Sequence, residues 1–155
     1  MNLKELNILL ADDDKDDCLF FEQAIAELSA IVNFTAVHNG EQLMLLLTGA
    51  TYPLPHILFL DLNMHRKNGF ECLVEIKKNQ KLKNLPVVIF STFYEQEVVN
   101  LLYQNGAHYF IRKPSEFSMF RKIILHTFTL LLKNENTAQP PEEDFVLSLE
   151  YSLAI

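Results

Sequence analysis

The chain has 155 residues, 49% hydrophobic and 21% charged, with only four glycines and six prolines. That fits one folded domain with a sizeable core and excludes a low-complexity or largely disordered chain. The formal charge of −7 excludes the basic face that nucleic-acid binding requires, and it suits a protein that holds a divalent cation or meets a basic partner.

The first strand is expected at Asn7-Ile8-Leu9-Leu10-Ala11, ended abruptly by the acidic run Asp12 to Asp17. A helix follows, mixing Leu19, Phe20, Gln23, Ala24, Ala26, Glu27 and Leu28 at roughly helical spacing. Acids in its first turn suit the positive end of the helix dipole. Val32 to Val37 reads as a more mixed strand at a sheet edge, and Glu41 to Leu47 as a short apolar helix stopped near Gly49.

Tyr52-Pro53-Leu54-Pro55 is a rigid loop feeding Ile57-Leu58-Phe59-Leu60, a run without polar alternation and therefore a strand covered on both faces. Asp61 ends that run, and Asn68-Gly69 precedes a helix expected over Phe70 to Asn79. Val87 to Phe90 is a second buried strand ending at Ser91-Thr92, and a helix from Tyr94 to Gln104 closes at Asn105-Gly106. Ala107 to Ile111 is the fifth strand, followed by Arg112-Lys113-Pro114 and a last helix, capped by Ser115 or Ser118, that runs to Lys133.

Strand and helix alternate five times with short connections, which calls for a parallel sheet between helices. Residues 134–144 are polar, with Pro140-Pro141 and three successive acids, and read as a linker. Phe145, Leu147, Leu149, Tyr151, Leu153 and Ile155 then place apolar side chains at every second position, the period of a strand. Such a strand can add to a sheet edge of its own chain or of another; exchange across a symmetric homodimer is the favoured expectation, and folding back on its own domain is the alternative.

Cys18 and Cys72 lie far apart and form neither a disulfide framework nor a metal-binding spacing, so both are expected as buried free thiols. The N-terminal segment lacks the apolar stretch of a signal peptide, and the stretch from Ile123 to Leu132 is broken by polar residues and too short to span a bilayer. A cytoplasmic protein without membrane contact is expected.

In a parallel sheet the ends of the first, third, fourth and fifth strands meet at one rim. Here those ends carry Asp12 and Asp13, Asp61, Ser91 and Thr92, and Lys113. Three carboxylates brought together invite a hard cation such as Mg²⁺. A lysine and a hydroxyl beside it are suited to holding a phosphoryl group, with a carboxylate as nucleophile.

On Ile8 to Asp13, Asp61-Leu62-Asn63-Met64, Asn68-Gly69, Ser91, Gly106-Ala107 and Lys113-Pro114, the chain resembles the response regulator receiver domains of two-component signalling. The resemblance spans about residues 5–133. It implies an α/β, flavodoxin-like doubly wound (βα)5 fold with sheet order 2-1-3-4-5, to which the tail would add a strand. The domains would be a receiver over 1–133, a linker over 134–144 and an amphipathic strand over 145–155.

By the same resemblance Asp61 is the phosphoacceptor, charged by a histidine kinase or phosphotransfer protein. Asp13 binds Mg²⁺ directly and Asp12 through water, with the backbone carbonyl of Asn63 as a further ligand. Lys113 pairs with the phosphoryl oxygens, Ser91 donates to them, and Phe110 is the aromatic switch. The Lys113–Pro114 peptide is expected to be cis. The protein would be a signalling protein that acts by binding others, with self-phosphorylation and autodephosphorylation as its only chemistry.

His65 stands where the family usually has proline, and Phe110 lacks a phenol hydroxyl. His65, Arg66 and Lys67 form a basic patch that reads as solvated loop charge. Two other readings use the same residues. A degenerate receiver acting as a constitutive binding module would have lost Asp13, Asp61 or Lys113, and all are present. A haloacid-dehalogenase-like phosphatase wants a second Asp two residues after its nucleophile, where this chain has Asn63.

Overall fold

All four residues of Ile57–Leu60 are buried and form β3, the strand against which the rest of the sheet is laid. The computed structural model describes residues 5–27, 32–133 and 138–148. Around β3 stand β1 (Leu6–Ala11), β2 (Val32–Val37), β4 (Val87–Ser91), β5 (Tyr109–Arg112) and β6 (Val146–Leu147). The sheet runs β2-β1-β3-β4-β5-β6, and every pairing in it is parallel. Helices α1 (Lys15–Ile25), α2 (Gly40–Thr48), α3 (Gly69–Lys78), α4 (Gln96–Gln104) and α5 (Phe117–Lys133) alternate with the first five strands. The doubly wound order expected from the sequence is present, with one strand added at the β5 edge.

Period-two alternation sends successive strand residues into two separate cores. Leu9, Leu58, Leu60, Val87, Ile89 and Phe110 pack with α2, α3 and α4 on one side. Ile8, Leu10, Phe59, Val88, Phe90 and Ile111 pack with α1 and α5 on the other. The second core is rich in aromatic rings, with Phe21 on Phe59 at 4.7 Å and Phe90 on Phe120 at 5.0 Å between centroids, edge to face in both cases. Each such fully buried ring contributes roughly 1.5–3 kcal/mol. Cys18 and Cys72 are buried free thiols, as expected, and burial pushes them up to about 12 and about 11, which leaves both unreactive.

Caps fix where the helices next to the rim begin. Asp14 is the N-cap of α1, its carboxylate accepting from the N–H groups of Asp16 and Asp17. Asn68 and Glu71 make a reciprocal capping box at α3. Gly69, the first residue of α3, lies so close to β3 that a Cβ there would stand 2.2 Å from the Asp61 carbonyl oxygen. Gly106 ends the α4 turn at φ 97°, the left-handed geometry expected for it. α4 begins at Gln96 rather than Tyr94, without a side-chain cap. Ser118 lies inside α5, and the Phe120 N–H donates to the carbonyl of Glu116, so Glu116 occupies the N-cap position rather than either serine.

The tail departs from the expectation in an informative way. Glu142–Asp144 form a 3₁₀ turn, and Phe145 remains helical at φ −65°, ψ −46°. The strand period therefore starts one residue later than the alternation suggests. Phe145 and Leu147, expected on one face, enter opposite cores. Val146 and Leu147 pair with β5 of their own chain, opposite Phe110 and Ile111, so the described part of the tail adds to the chain's own sheet. Residues 149–155, where the remaining alternating positions fall, lie outside the described residues.

The cis peptide expected at Lys113–Pro114 is corrected: no described peptide bond is cis. Trans is favoured by about 0.5–1 kcal/mol before proline, and in this isomer the Lys113 N–H still donates to the Ser91 carbonyl at 2.9 Å. Among the described residues no helix is long and apolar enough to cross a membrane.

Candidate functional site

The C-terminal ends of β1, β3 and β5 place Asp12, Asp61 and Lys113 together at the rim. β1 and β3 are neighbours in the sheet, while the chain after β1 goes out to β2 before returning. The rim between them is thus a topological switch point, where open α/β sheets bind ligands. Asp12 is fully buried and Asp61 nearly so. Lys113 Nζ lies 2.6 Å from Asp12 Oδ2 and 3.7 Å from Asp61 Oδ2. Its ammonium also stands 5.3 Å from the centre of the Phe90 ring, which supports it from the core side.

Asp13 completes the acidic group. Oxygen atoms of Asp12, Asp13 and Asp61 all lie within 4.8 Å of one another. Burial is the main cause that raises the Asp61 carboxyl, to about 7; Lys113 pulls against it and Asp12 adds to it. A backbone hydrogen bond from Asn63 favours the ionised form. Burial likewise raises Asp12. Burial pulls the Lys113 ammonium down, but the carboxylates of Asp12 and Asp61 outweigh it and hold the group above its usual range. One buried cation thus faces more negative charge than it can neutralise. Three hard oxygen donors with that imbalance fit a magnesium-class ion.

Ser91 is fully buried at the end of β4, one strand over from Asp61. Its hydroxyl oxygen accepts from the Phe93 N–H at 3.1 Å, which fixes the oxygen and leaves its own hydrogen to donate. Phe110 is fully buried, with Tyr94 edge to face at 5.7 Å. The ring of this expected aromatic switch is thus in its inward position. Asn63 is exposed just beyond Asp61, and its N–H is the group turned to that carboxylate.

Sequence reasoning passed over two features. Asp17, read only as a helix-start acid, accepts from Lys113 Nζ at 2.9 Å. The basic loop is solvated as expected at His65 and Arg66, 88% and 68% exposed, but each residue also has an acidic neighbour: His65 lies 3.7 Å from Asp13, Arg66 3.2 Å from Glu41, and the less exposed Lys67 bonds Glu75. Each exposed pair adds little stability, but together they tie the β3–α3 loop to α2, α3 and the metal-capable acids. Arg66 adopts φ 69° in making this turn. What brings Asp17 there is its position in the first turn of α1, three residues after the Asp14 cap.

Residues 8–125 match the family model described as the response regulator receiver domain. The protein belongs to that family. Among individual proteins it is similar to the response regulator Rcp1 of Synechocystis sp., with 27% identity over 121 residues, 76% of this chain and 82% of that protein. It also resembles a probable C4-dicarboxylate response regulator, DctR, of Bacillus subtilis, 31% identical over 80% of this chain but only 53% of the relative. Two solved structures share the fold closely: the Mn²⁺-bound form of Rcp1, with TM-score 0.78, 26% identity and coverage of 83% of this chain and 96% of that one; and the phosphorylated cyanobacterial phytochrome response regulator RcpA, with TM-score 0.80, 28% identity and coverage of 88% and 99%.

Proposed function

We propose that this receiver is a phosphoacceptor: Asp61 takes a phosphoryl group from a histidine kinase or phosphotransfer protein, and the charged form signals by binding another protein. The observation that carries the reading is the placement of Lys113 within reach of both Asp12 and Asp61 beside a third carboxylate, Asp13.

Asp12, Asp13, Asp61 and the Asn63 carbonyl would hold Mg²⁺, which neutralises the carboxylates and the incoming phosphoryl charge when bound. An oxygen of the Asp61 carboxylate attacks phosphorus as the bond to the donor nitrogen breaks. The electron pair stays with the donor imidazole, which takes up a proton, and Asp61 is left as an acyl phosphate. Lys113 supplies an ammonium to the phosphoryl oxygens, and the Ser91 hydroxyl hydrogen is free to turn to them. Hydrolysis of that acyl phosphate, in which water takes the phosphoryl group and restores the Asp61 carboxylate, is the protein's only other chemistry; it acts as a cytoplasmic signalling protein and not as a metabolic enzyme.

Output runs through the β5 edge, where Phe110 meets the tail. Phe145 lies against Tyr103 at 5.2 Å between ring centres, and the Tyr103 hydroxyl donates to the Pro140 carbonyl. A homodimer would form by exchanging this same segment between two copies, since an identical tail fits an identical seat. Sedimentation of the full chain and of a chain ending at residue 138 tests that step, with a dimer expected only for the former.

Incubation with acetyl phosphate and Mg²⁺, followed by intact mass, tests the main reading. A single phosphoryl adduct that needs the metal supports it. Steady turnover of many phosphate esters without an adduct contradicts it.

A further inference from the structure

Four aspartates surround Lys113 or the metal-capable group, and they divide the work unequally. Asp12 and Asp61 belong to both sets: they lie in the oxygen cluster with Asp13 and also pair with Lys113. Asp13 belongs to the oxygen cluster alone. Asp17 bonds Lys113 at 2.9 Å and is not in the cluster.

The local structure delivers Asp17 to that place. Asp12 Oδ1 accepts from the Asp14 N–H at 3.0 Å, which turns the chain. Asp14 Oδ1 then accepts from the Asp16 and Asp17 N–H groups at 2.9 and 3.2 Å. The cap locks the first turn of α1, and Asp17 is thereby fixed above the end of β5. Asp17 Oδ2 reaches a lysine side chain that is only 5% exposed, so the ammonium has little water to take in exchange for this contact.

We infer that Asp17 is a positioning residue for phosphoryl transfer. When the oxygens of Asp12 and Asp61 are engaged with a cation and a phosphoryl group, Asp17 is the one anion left to hold the ammonium at the rim. It keeps Lys113 where the transferred oxygens arrive, and it does so from α1 rather than from the site itself. This rests on the phosphoacceptor reading of Asp61.

The test uses the full chain as wild type, Asp17→Ala and Asp17→Asn. In metal-free protein, acylation of each lysine by N-hydroxysuccinimidyl acetate is followed by peptide mass. Lys77, whose half-buried side chain donates to the Lys83 and Leu85 carbonyls away from the site, serves as the internal reference. Loss of the anchor is expected to speed acylation of Lys113 in Asp17→Ala by about fivefold or more relative to Lys77, whereas general loosening of the fold raises both together. With saturating Mg²⁺ and acetyl phosphate, the maximal rate of Asp61 phosphorylation is expected to fall about tenfold in Asp17→Ala and about threefold in Asp17→Asn, whose amide oxygen still accepts from the ammonium. Half-saturating Mg²⁺ should move less than about threefold, because Asp17 is outside the oxygen cluster. Wild-type rates in Asp17→Ala, or equal acceleration of Lys113 and Lys77, overturn the inference while the phosphoacceptor reading stands. No phosphorylation of the wild type overturns both.

Discussion

The backbone N–H of Phe110 donates to the carbonyl of Phe145 at 2.9 Å, so the residue proposed as the switch is tied directly to the tail. The contact links β5, whose end carries Lys113, to the added strand. Phe110 is also in the same core as Phe145. The Gln139 amide reinforces the seat by donating to the carbonyls of Tyr103 and Ala107 at 2.7 Å.

Phe145→Ala should therefore release the tail before it unfolds the domain. Truncating a buried Phe costs about 3–5 kcal/mol, but β6 is only two residues long, and that loss is met first by local opening. Hydrogen exchange at the Phe110 amide should accelerate by about tenfold or more, while the Leu58 amide, bonded to the Pro86 carbonyl in the sheet centre, exchanges as in the wild type. Equal acceleration at both amides would mean that the tail is part of one cooperative unit.

The pH dependence of the metal-free protein follows from Asp61. Burial raises its carboxyl to about 7 in the fold, above the ordinary value near 4 of an unfolded chain. Between those values the folded state binds more protons than the unfolded state. Stability from this group is therefore fully present below about pH 4 and is lost as pH rises through about 7. The effect is on the order of 2–4 kcal/mol by linkage. Urea melts of the wild type and Asp61→Asn, without metal, should diverge from pH 5 to pH 8, with the variant the more stable at the higher pH. Parallel curves would contradict the burial of an uncompensated charge.

Lys113→Met should destabilise the metal-free protein near neutral pH by about 3–5 kcal/mol, because it strands buried carboxylates. Asp12 is the group most affected, being fully buried and 2.6 Å from the ammonium. Added Mg²⁺ should restore part of the loss, since a ligand of the folded state stabilises by mass action. Thermal melts with and without the metal check this, and a melt indifferent to Mg²⁺ would count against the cation site.

Gly69→Ala is expected to cost about 1–3 kcal/mol by overpacking. The added Cβ would stand 2.2 Å from the Asp61 carbonyl oxygen and 2.9 Å from Leu62 Cα, backbone atoms that cannot swing aside. The same displacement acts on the nucleophile, so phosphorylation should slow alongside the loss of stability. Gly49→Ala is the milder comparison, because its Cβ would stand 3.1 Å from the Leu45 carbonyl oxygen, a tight contact that a few tenths of an ångström relieve, and would not touch Asp61.

The sheet was legible in the sequence because its strands are short apolar runs ended by charge or turn residues. Ile57–Leu60 followed by Asp61 is the clearest case, and the rim residues were found by asking what stands where each run stops. Asp17 was not legible in that way. Its place beside Lys113 depends on how α1 docks across α5 and on a cap three residues upstream, which strand-end reasoning does not reach. The tail was half legible: alternation marked a strand, but the 3₁₀ turn at Glu142–Asp144 shifts its start and puts Phe145 into the opposite core from Leu147. His65 and Arg66 are solvent-facing charge as read, but their neighbours Asp13 and Glu41 lie far off in sequence, so those contacts could not be read from the loop itself.

The most direct test of the central claim locates the phosphoryl group chemically. After treatment with acetyl phosphate and Mg²⁺, borohydride reduction converts an aspartyl phosphate to homoserine, and peptide mapping reports its position. The account predicts homoserine at position 61 alone, lost without Mg²⁺ and absent in Asp61→Asn. Homoserine at Asp12, Asp13 or another carboxylate, or none anywhere in the wild type, would contradict it.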